Sequence, residues 1–310
     1  MSRGRAARRR GNRWLVAHAT FVYAFFYAPI ILLAVYSFSD SQLVGRWGGF
    51  TLDWYRDLAA NEPVQDAIVV SLQVAVASTV MAVGFGTLAA LALERFSFRG
   101  RRIFDALLYL PIIIPDVTMA VMMLLFFSQG LDLADDVFGL ELSKGLGTII
   151  VSHIAFNISF VSVVVRARLR SMDATLEEAA ADLYATRWQA FRHVTLPQLA
   201  PGVAGGALLA FTLSLDDVVI TQFVAGPTST TLPVYVFGLI RRGVTPLINA
   251  VSVVMLAASI ALVVASVLVQ RRRSTADTAL AAPGVPSVLD AARTTTDEIE
   301  PVDKSSDLGA

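Results

Sequence analysis

The 310-residue sequence contains no cysteine and only three histidines. The absence of cysteine excludes disulfide bonds, thiolate metal sites and a cysteine nucleophile. The histidines, His18, His153 and His193, lie far apart and show no zinc-ligand spacing. Charged residues make up 16% of the chain, against about 25% in an average soluble domain, and apolar residues reach 55%. Because Lys plus Arg and Asp plus Glu number 25 each, net charge gives no reason to expect a nucleic-acid partner.

Long apolar segments dominate the chain instead. A helix needs about 20 mostly apolar residues to cross a bilayer, and soluble cores seldom contain several uncharged runs of that length. Four runs carry no Asp, Glu, Lys or Arg: 14–38, 67–93, 145–165 and 244–270. Two further stretches, 103–127 and 199–224, are apolar but interrupted by carboxylates. We therefore predict an all-α polytopic membrane protein with six transmembrane helices.

The basic residues predict the orientation of these spans. With six spans, 20 of the 25 Lys and Arg residues fall in the N-terminal segment, the second and fourth loops and the C-terminal tail. Because cytoplasmic loops are enriched in Lys and Arg, both termini are predicted to lie in the cytoplasm. The predicted organisation is a basic N-terminal segment, 1–13, a six-span domain, 14–270, and a tail, 271–310. The tail is polar and shows no apolar period, so we expect it to be disordered.

The loop at 171–198, between the fourth and fifth spans, has a pattern of its own. Residues 175–178 and 186–189 match the capping-box pattern that opens a helix. The first of these helices has one apolar face, which such a short loop cannot bury alone. This face docks either on a partner protein or on the ends of the chain's own bundle. Its members are Leu176, Ala179, Ala180 and Leu183, at i, i+3, i+4 and i+7.

The same loop resembles the EAA motif of ABC importer permeases. That motif runs Glu-Ala-Ala, three residues, Gly, nine residues, Ile-x-Leu-Pro. Here Glu178-Ala-Ala is followed at the same spacing by position 184 and by Val-Thr-Leu-Pro at 194–197. The stretches 110–116, 213–217, 226–233 and 240–246 are similar to those of spermidine/putrescine importer permeases, in particular the C-type subunit. The likeness covers roughly residues 14–270.

The resemblance implies a type I ABC importer permease fold in the inner membrane and a transport role without catalysis. It implies as partners a second permease subunit, two copies of an ATP-binding subunit, a periplasmic polyamine-binding protein and membrane lipid. ATP and Mg would bind to the partner ATPase, because this chain lacks the G-x-x-x-x-G-K-[ST] phosphate loop, and no cofactor is expected here. The implied ATPase-coupling residues are Glu177, Glu178, Ala179, Ala180, Tyr184, Leu196 and Pro197.

Tyr184 departs from the motif, which has glycine at this position. Glycine would favour a left-handed turn at the end of the first short helix. Either the turn has another shape, or the chain tolerates the strain of about 1–2 kcal/mol that a non-glycine residue incurs there.

Five polar residues within the predicted spans are candidates for the substrate path: Asp116, Asp216, Asp217, His153 and Asn157. Counting from the inner end of each span places Asp116 at ~20 Å and Asp216 at ~24 Å, in the outer half of the membrane. Alternatively, Asp116 caps a helix that restarts after the preceding proline. Adjacent helical residues point about 100° apart, so Asp216 and Asp217 cannot both face one pore. His153 and Asn157, at i and i+4, form either interhelical hydrogen bonds or substrate contacts.

Two other functions fit parts of the sequence. One is a permease for a different small solute, such as iron, thiamine, a phosphonate or an opine. The other is an ATP-independent secondary transporter, against which stand the lack of an inverted repeat and the presence of the docking loop.

Overall fold

The computed structural model describes residues 3–43, 45–139, 143–173, 175–242 and 246–280. Regular structure in these ranges is helical, apart from one isolated bridge between Ser39 and Phe50. The helices are α1 (Arg3–Tyr36), α2 (Asp53–Ala60), α3 (Glu62–Arg95), α4 (Arg101–Ile113), α5 (Asp116–Phe138), α6 (Leu146–Arg170), α7 (Thr175–Asp182), α8 (Arg187–Ala190), a π-helical turn (Phe191–Thr195), α9 (Leu196–Asp216), α10 (Val219–Val224), α11 (Leu232–Arg242) and α12 (Pro246–Leu280).

Six helical segments in the described ranges are long and apolar enough to cross a membrane, which confirms the predicted number. They are Trp14–Tyr36, Glu62–Arg95, Asp116–Val137, Leu146–Arg170, Arg187–Asp216 and Pro246–Ala265.

The predicted third span, 103–127, is wrong in its bounds. The chain breaks at Ile114 and Pro115 into two helices, α4 and α5. Ile114 is extended, with φ −71° and ψ 132°, because the ring of the following proline disfavours a helical conformation in the preceding residue. A helix restarts after the proline, as the alternative interpretation expected, but Asp116 is the first residue of α5 and not its cap, which is Pro115. The estimated depth of Asp116 within a continuous helix does not apply.

The predicted fifth span, 199–224, is also interrupted. Helix α9 ends at Asp216, Asp217 is extended at φ −68° and ψ 126°, and α10 begins two residues later. The two carboxylates thus lie at a helix end, not inside one continuous helix.

Helices α3, α6 and α9 form the centre of the fold and pack closely through small residues. A Cβ atom on Gly86 of α3 would lie 2.8 Å from the Val161 side chain, and one on Gly202 of α9 would lie 2.6 Å from that of Arg168. Small residues at helix contacts allow this approach in membrane bundles. On α9 the buried small residues recur every four positions, at Gly202, Gly206, Ala210 and Ser214.

Both ends of the described chain are helical. Helix α1 begins at Arg3 and includes the described part of the basic N-terminal segment. Helix α12 continues to Leu280, so the prediction of a disordered tail is wrong for 271–280, and 281–310 lie outside the described residues. Residues up to Val263 form one compact unit, and a second begins at Val264.

Candidate coupling loop and carboxylate cavity

The loop at 171–198 contains the two predicted short helices, α7 and α8. The first capping box is wrong, because Thr175 lies inside α7 and its N–H donates to Asp173 Oδ1 at 2.9 Å. This bond lowers the pKa of Asp173 below its usual value. The second is confirmed: Gln189 N–H donates to Thr186 Oγ1 at 3.3 Å, and Thr186 N–H donates to Gln189 Oε1 at 2.8 Å.

Tyr184 adopts the left-handed conformation that the motif glycine would favour. Its φ is 60°, and it is the one non-glycine residue with positive φ among those the structure describes. Ala185 N–H donates to Ala180 O at 3.0 Å and Tyr184 N–H donates to Ala181 O at 2.9 Å, which is the Schellman pattern. The turn therefore keeps the motif shape, and Tyr184 bears a strain of about 1–2 kcal/mol.

The loop leaves a large apolar surface uncovered. The exposed fraction is 48% for Leu176, 81% for Leu183, 96% for Tyr184 and 67% for Trp188. Trp188 stacks on Phe191, with ring centroids 5.7 Å apart. These side chains therefore do not pack on the chain's own bundle, which was one of the two docking alternatives. We refer below to Leu176, Leu183, Tyr184 and Trp188 as the open face.

The remaining residues predicted for coupling lie on α7 and α9. Ala179 is exposed and Ala180 half-buried on α7, while Leu196 and Pro197 are exposed at the start of α9.

Two adjacent glutamates in α7 have different surroundings. Glu177 accepts hydrogen bonds from both terminal nitrogens of Arg95 and, at 2.6 Å, from Thr195 Oγ1. The Arg95 guanidinium is the main reason that the pKa of Glu177 lies below its usual value. Glu178 is exposed and makes no hydrogen bond or ion pair with the part of the chain that is described. Glu177 thus fixes α7 to the end of α3, and Glu178 faces outward.

The three aspartates predicted for the substrate path lie at one cavity, so the prediction that Asp216 and Asp217 cannot both face one space is wrong. Asp217 is extended, and the angle between helical neighbours does not apply to it. Asp116, Asp216 and Asp217 line a space of about 280 Å³ between the α4–α5 break, α6 and the α9–α10 junction. Asp116 and Asp216 are exposed. Asp216 also lines a second, mostly apolar cavity of about 370 Å³ between α3, α9, α11 and α12. We call the first space the carboxylate cavity.

Asp217 is bonded to its own chain. Its Oδ2 accepts from the N–H and the hydroxyl of Thr221, both at 2.7 Å, and its Oδ1 accepts from Ile220 N–H at 3.3 Å. His153 Nε2 lies 3.5 Å from the same carboxylate. Asp217 therefore stabilises the first turn of α10, and Asp216 is the exposed member of the pair.

His153 and Asn157 are fully buried and do not line the carboxylate cavity. His153 Nε2 lies 3.0 Å from Thr221 Oγ1, and Asn157 Nδ2 donates to Ser214 Oγ at 2.9 Å. These bonds join α6 to α9 and α10, which agrees with the interhelical interpretation of this pair.

The structure adds partners that the sequence did not single out. Ser78, on α3, lies with its hydroxyl 3.0 Å from that of Ser214 and extends the polar cluster to a third helix. Arg95 was likewise missed as the anchor of Glu177. The available signal for the serines was their place in rows of small residues, which mark helix contacts in membranes.

Comparison with known proteins identifies the family. Residues 82–274 match the family model of the binding-protein-dependent transport system inner membrane component. The chain is 41% identical over 246 residues to the putrescine transport system permease protein PotI of Escherichia coli, covering 79% of this chain and 86% of the relative. It is 38% identical over 259 residues to the spermidine/putrescine transport system permease protein PotC of the same species, with coverages of 84% and 94%. A putative 2-aminoethylphosphonate transport system permease protein, PhnV of Salmonella typhimurium, is 30% identical over 234 residues, with coverages of 76% and 84%.

Solved structures confirm the fold. A bacterial ABC transporter for import of the polysaccharide alginate superposes with a TM-score of 0.71 at 21% identity, covering 86% of this chain and 99% of that one. An amino acid ABC transporter superposes with a TM-score of 0.54 at 15% identity, with coverages of 72% and 100%. The chain belongs to the inner-membrane components of binding-protein-dependent transport systems: it is a multi-pass permease subunit of an ABC importer, and ATP hydrolysis takes place in a separate subunit.

Proposed function

We propose that this permease imports polyamines such as putrescine and spermidine. The relatives PotI and PotC, at 41% and 38% identity, support this substrate class. The observation that carries the proposal is the meeting of Asp116, Asp216 and Asp217 at one cavity. A polyamine carries two or more ammonium groups at pH 7, because amine pKa values lie near 10. Its passage through a low-dielectric region requires opposite charge along the route.

The proposed complex contains a second permease subunit, two copies of an ATP-binding subunit that holds ATP and Mg, and a periplasmic polyamine-binding protein. The open face of the coupling loop is the proposed contact with the ATP-binding subunit, because an exposed apolar patch on a folded chain marks an interaction site. The excess of Lys and Arg in alternate loops supports the placement of both termini in the cytoplasm. A reporter that works only in the cytoplasm, fused after Arg273, is expected to give signal, whereas signal from a fusion at Asp135 would reverse this orientation.

The substrate proposal is tested by uptake of labelled putrescine and spermidine into proteoliposomes that contain the full complex. Asp116→Asn and Asp216→Asn should each lower uptake at least about tenfold, because a charge pair near the surface at ~4 Å is worth about 4 kcal/mol. Asp57→Asn, which alters an exposed carboxylate on α2, is the matched control and should transport at the native rate. Native uptake by both cavity variants would remove these carboxylates from the substrate path.

A second solute class, aminophosphonates, is favoured by the 30% identity to PhnV. Competition separates the two classes: excess 2-aminoethylphosphonate should leave putrescine uptake unchanged if the chain is a polyamine permease. Uptake of the phosphonate without uptake of either polyamine would replace the proposed substrate.

A further inference from the structure

A chain of ion pairs runs from the coupling loop to helix α4. Glu177 of the loop pairs with Arg95, the last residue of α3. The preceding residue, Glu94, accepts a hydrogen bond of 2.7 Å from Arg166 Nε on α6. Another nitrogen of Arg166, Nη1, donates to Asp105 of α4. Four elements that are distant in sequence are thus joined by alternating charges.

Arg166 is the centre of this chain. The residue is 5% exposed, and its guanidinium contacts carboxylates from two different helices at the same time. It also lies over the ring of Tyr109 of α4, 5.9 Å from the centroid. The planar fork of arginine can bridge two carboxylates in this way, whereas the ammonium of lysine is a single compact charge on a flexible stem. A charge at this depth is retained only while both partners compensate it.

Helix α4 has little else to fix its position. Its residues include none that is buried, and it packs mainly against α6. Its last turn nevertheless reaches the carboxylate cavity, where Pro111 forms part of the wall. The chain then passes through the break at Pro115 to Asp116, which lines the same cavity. A tilt of α4 would therefore move two parts of the cavity wall together.

The end of α3 connects the two sides of this arrangement. Adjacent residues on a helix point about 100° apart, so Glu94 faces α6 while Arg95 faces the loop. One helical turn carries both contacts, and it continues into the closely packed centre of the bundle. The loop, through Arg95, and α4, through Arg166 and Glu94, are consequently attached to the same end of α3.

We propose that Arg166 is a positioning residue that ties α4 to the coupling loop, so that displacement of the loop by the ATPase moves Pro111 and Asp116 at the cavity. This inference rests on the proposed function, in which the loop docks on the ATP-binding subunit. Breaking the Asp105–Arg166 contact should leave ATP hydrolysis running and separate it from transport.

The first test measures uptake and ATP hydrolysis side by side in proteoliposomes that contain the full complex. Asp105→Asn and Arg166→Lys should lower the uptake per ATP hydrolysed by about fivefold or more, the size of a typical coupling between sites. Arg102→Lys, at an exposed arginine on the same helix, is the control and should keep the native ratio. An unchanged ratio in Asp105→Asn, which leaves Arg166 paired with Glu94, would overturn the proposal even if Arg166→Lys failed to assemble.

The second test follows the geometry directly. Because the chain contains no cysteine, Leu107→Cys on α4 and Asp182→Cys on α7, outside the open face, can carry two spin labels at exposed positions. Their distance should be narrow and the same with and without ATP, and Asp105→Asn should broaden it or make it depend on ATP. A narrow, unchanged distribution in that variant contradicts the proposal.

Failure of the docking hypothesis has a separate signature. Co-purification of the ATP-binding subunit with an Ala180→Arg variant, with native transport, would remove the loop as the docking site whatever Arg166 does. Loss of that subunit from Asp105→Asn would instead show that the ion pairs only hold the loop in place, which overturns the positioning role.

Discussion

Two pairs of adjacent carboxylates divide structural and exposed roles in the same way. They are Glu177–Glu178 in the coupling loop and Asp216–Asp217 at the end of α9. In each pair one member is bonded to the chain itself: Glu177 to Arg95 and Thr195, Asp217 to Thr221. The other member, Glu178 or Asp216, is exposed. Because neighbouring side chains point in different directions, one carboxylate can hold the local backbone in place while the other presents charge to a partner or a solute.

We call the bonded residue of each pair the inward member and the exposed residue the outward member. The two regions differ in what surrounds the inward member. Asp217 lies beside the fully buried His153 and stabilises a helix turn within the bundle. Glu177 lies at the edge of the bundle, beside an apolar surface that is open. The inward aspartate should therefore matter for folding of the whole subunit, and the inward glutamate only for placement of the loop.

The largest expected effect is that of Asp217→Ala. Loss of the carboxylate removes three hydrogen bonds to a charged acceptor and leaves buried donors unpaired, at a cost of about 3 kcal/mol or more. Thermal unfolding of the purified complex in detergent should show this loss. Asp216→Ala is the matched control and should stay within about 0.5 kcal/mol of the native protein. Equal destabilisation by the two variants would contradict the proposed division within this pair.

The sequence predicted the number of spans correctly because an uninterrupted apolar run of sufficient length leaves few alternatives in a bilayer. It gave wrong bounds for two spans for the same reason. Hydropathy does not detect a break in a helix when the residues on both sides of the break are apolar. Pro115 and the Asp216–Asp217 pair each end a helix without ending the apolar stretch. The motif spacing located the turn at Tyr184 but left two shapes open, and the structure selects the left-handed one.

The inward and outward members of each pair could not be assigned from the sequence. The direction of Asp217 depends on the extended backbone after α9, which changes its angle relative to Asp216. The partner of Glu177 lies 82 residues away on another helix. Such long-range pairings are set by the packing of α3, α6 and α9, and a single sequence contains no record of it.

The next largest effect is expected at the outward side of the loop. Ala180→Arg places a long charged side chain beside the open face, where it should clash with the docked ATP-binding subunit. Interfaces depend on a few well-packed central residues, so the loss should be about 2 kcal/mol or more of binding. Co-purification of the two subunits measures it, with Arg187→Ala at the exposed start of α8 as a control. A native yield of complex would place the docking surface elsewhere.

A smaller effect separates the two glutamates. Glu177→Gln weakens the anchor of α7 by about 1 kcal/mol, because the ion pair with Arg95 is partly exposed. Hydrogen exchange of α7 amides should become faster in this variant, whereas Glu178→Gln should leave exchange unchanged. Faster exchange in both variants would show that Glu178 also supports the loop.

The same anchor has a defined pH dependence. The pKa of Glu177 in the folded protein lies below its ordinary value of 4.5. The stabilisation of α7 by the Glu177–Arg95 ion pair is therefore complete above pH 4.5. It is lost as the pH falls from there through the lower folded pKa. Protection of α7 should therefore be constant from neutral pH down to about 4.5 and decline below that in the native chain, but not in Glu177→Gln.

The smallest effect is expected at Tyr184, where the chain departs from the motif. Glycine in the left-handed position removes a strain of about 1–2 kcal/mol, but it also adds entropy to the unfolded chain, worth about 0.5–1 kcal/mol. Tyr184→Gly should therefore stabilise the loop by about 0–1.5 kcal/mol, seen as slower exchange at Ala185. The side chain is 96% exposed, so its removal costs no packing within this chain. If the ATPase subunit dissociates more readily from this variant although the loop is more stable, the exposed tyrosine ring is itself part of the docking surface. Unchanged affinity together with slower exchange would show that Tyr184 is a tolerated departure from the motif.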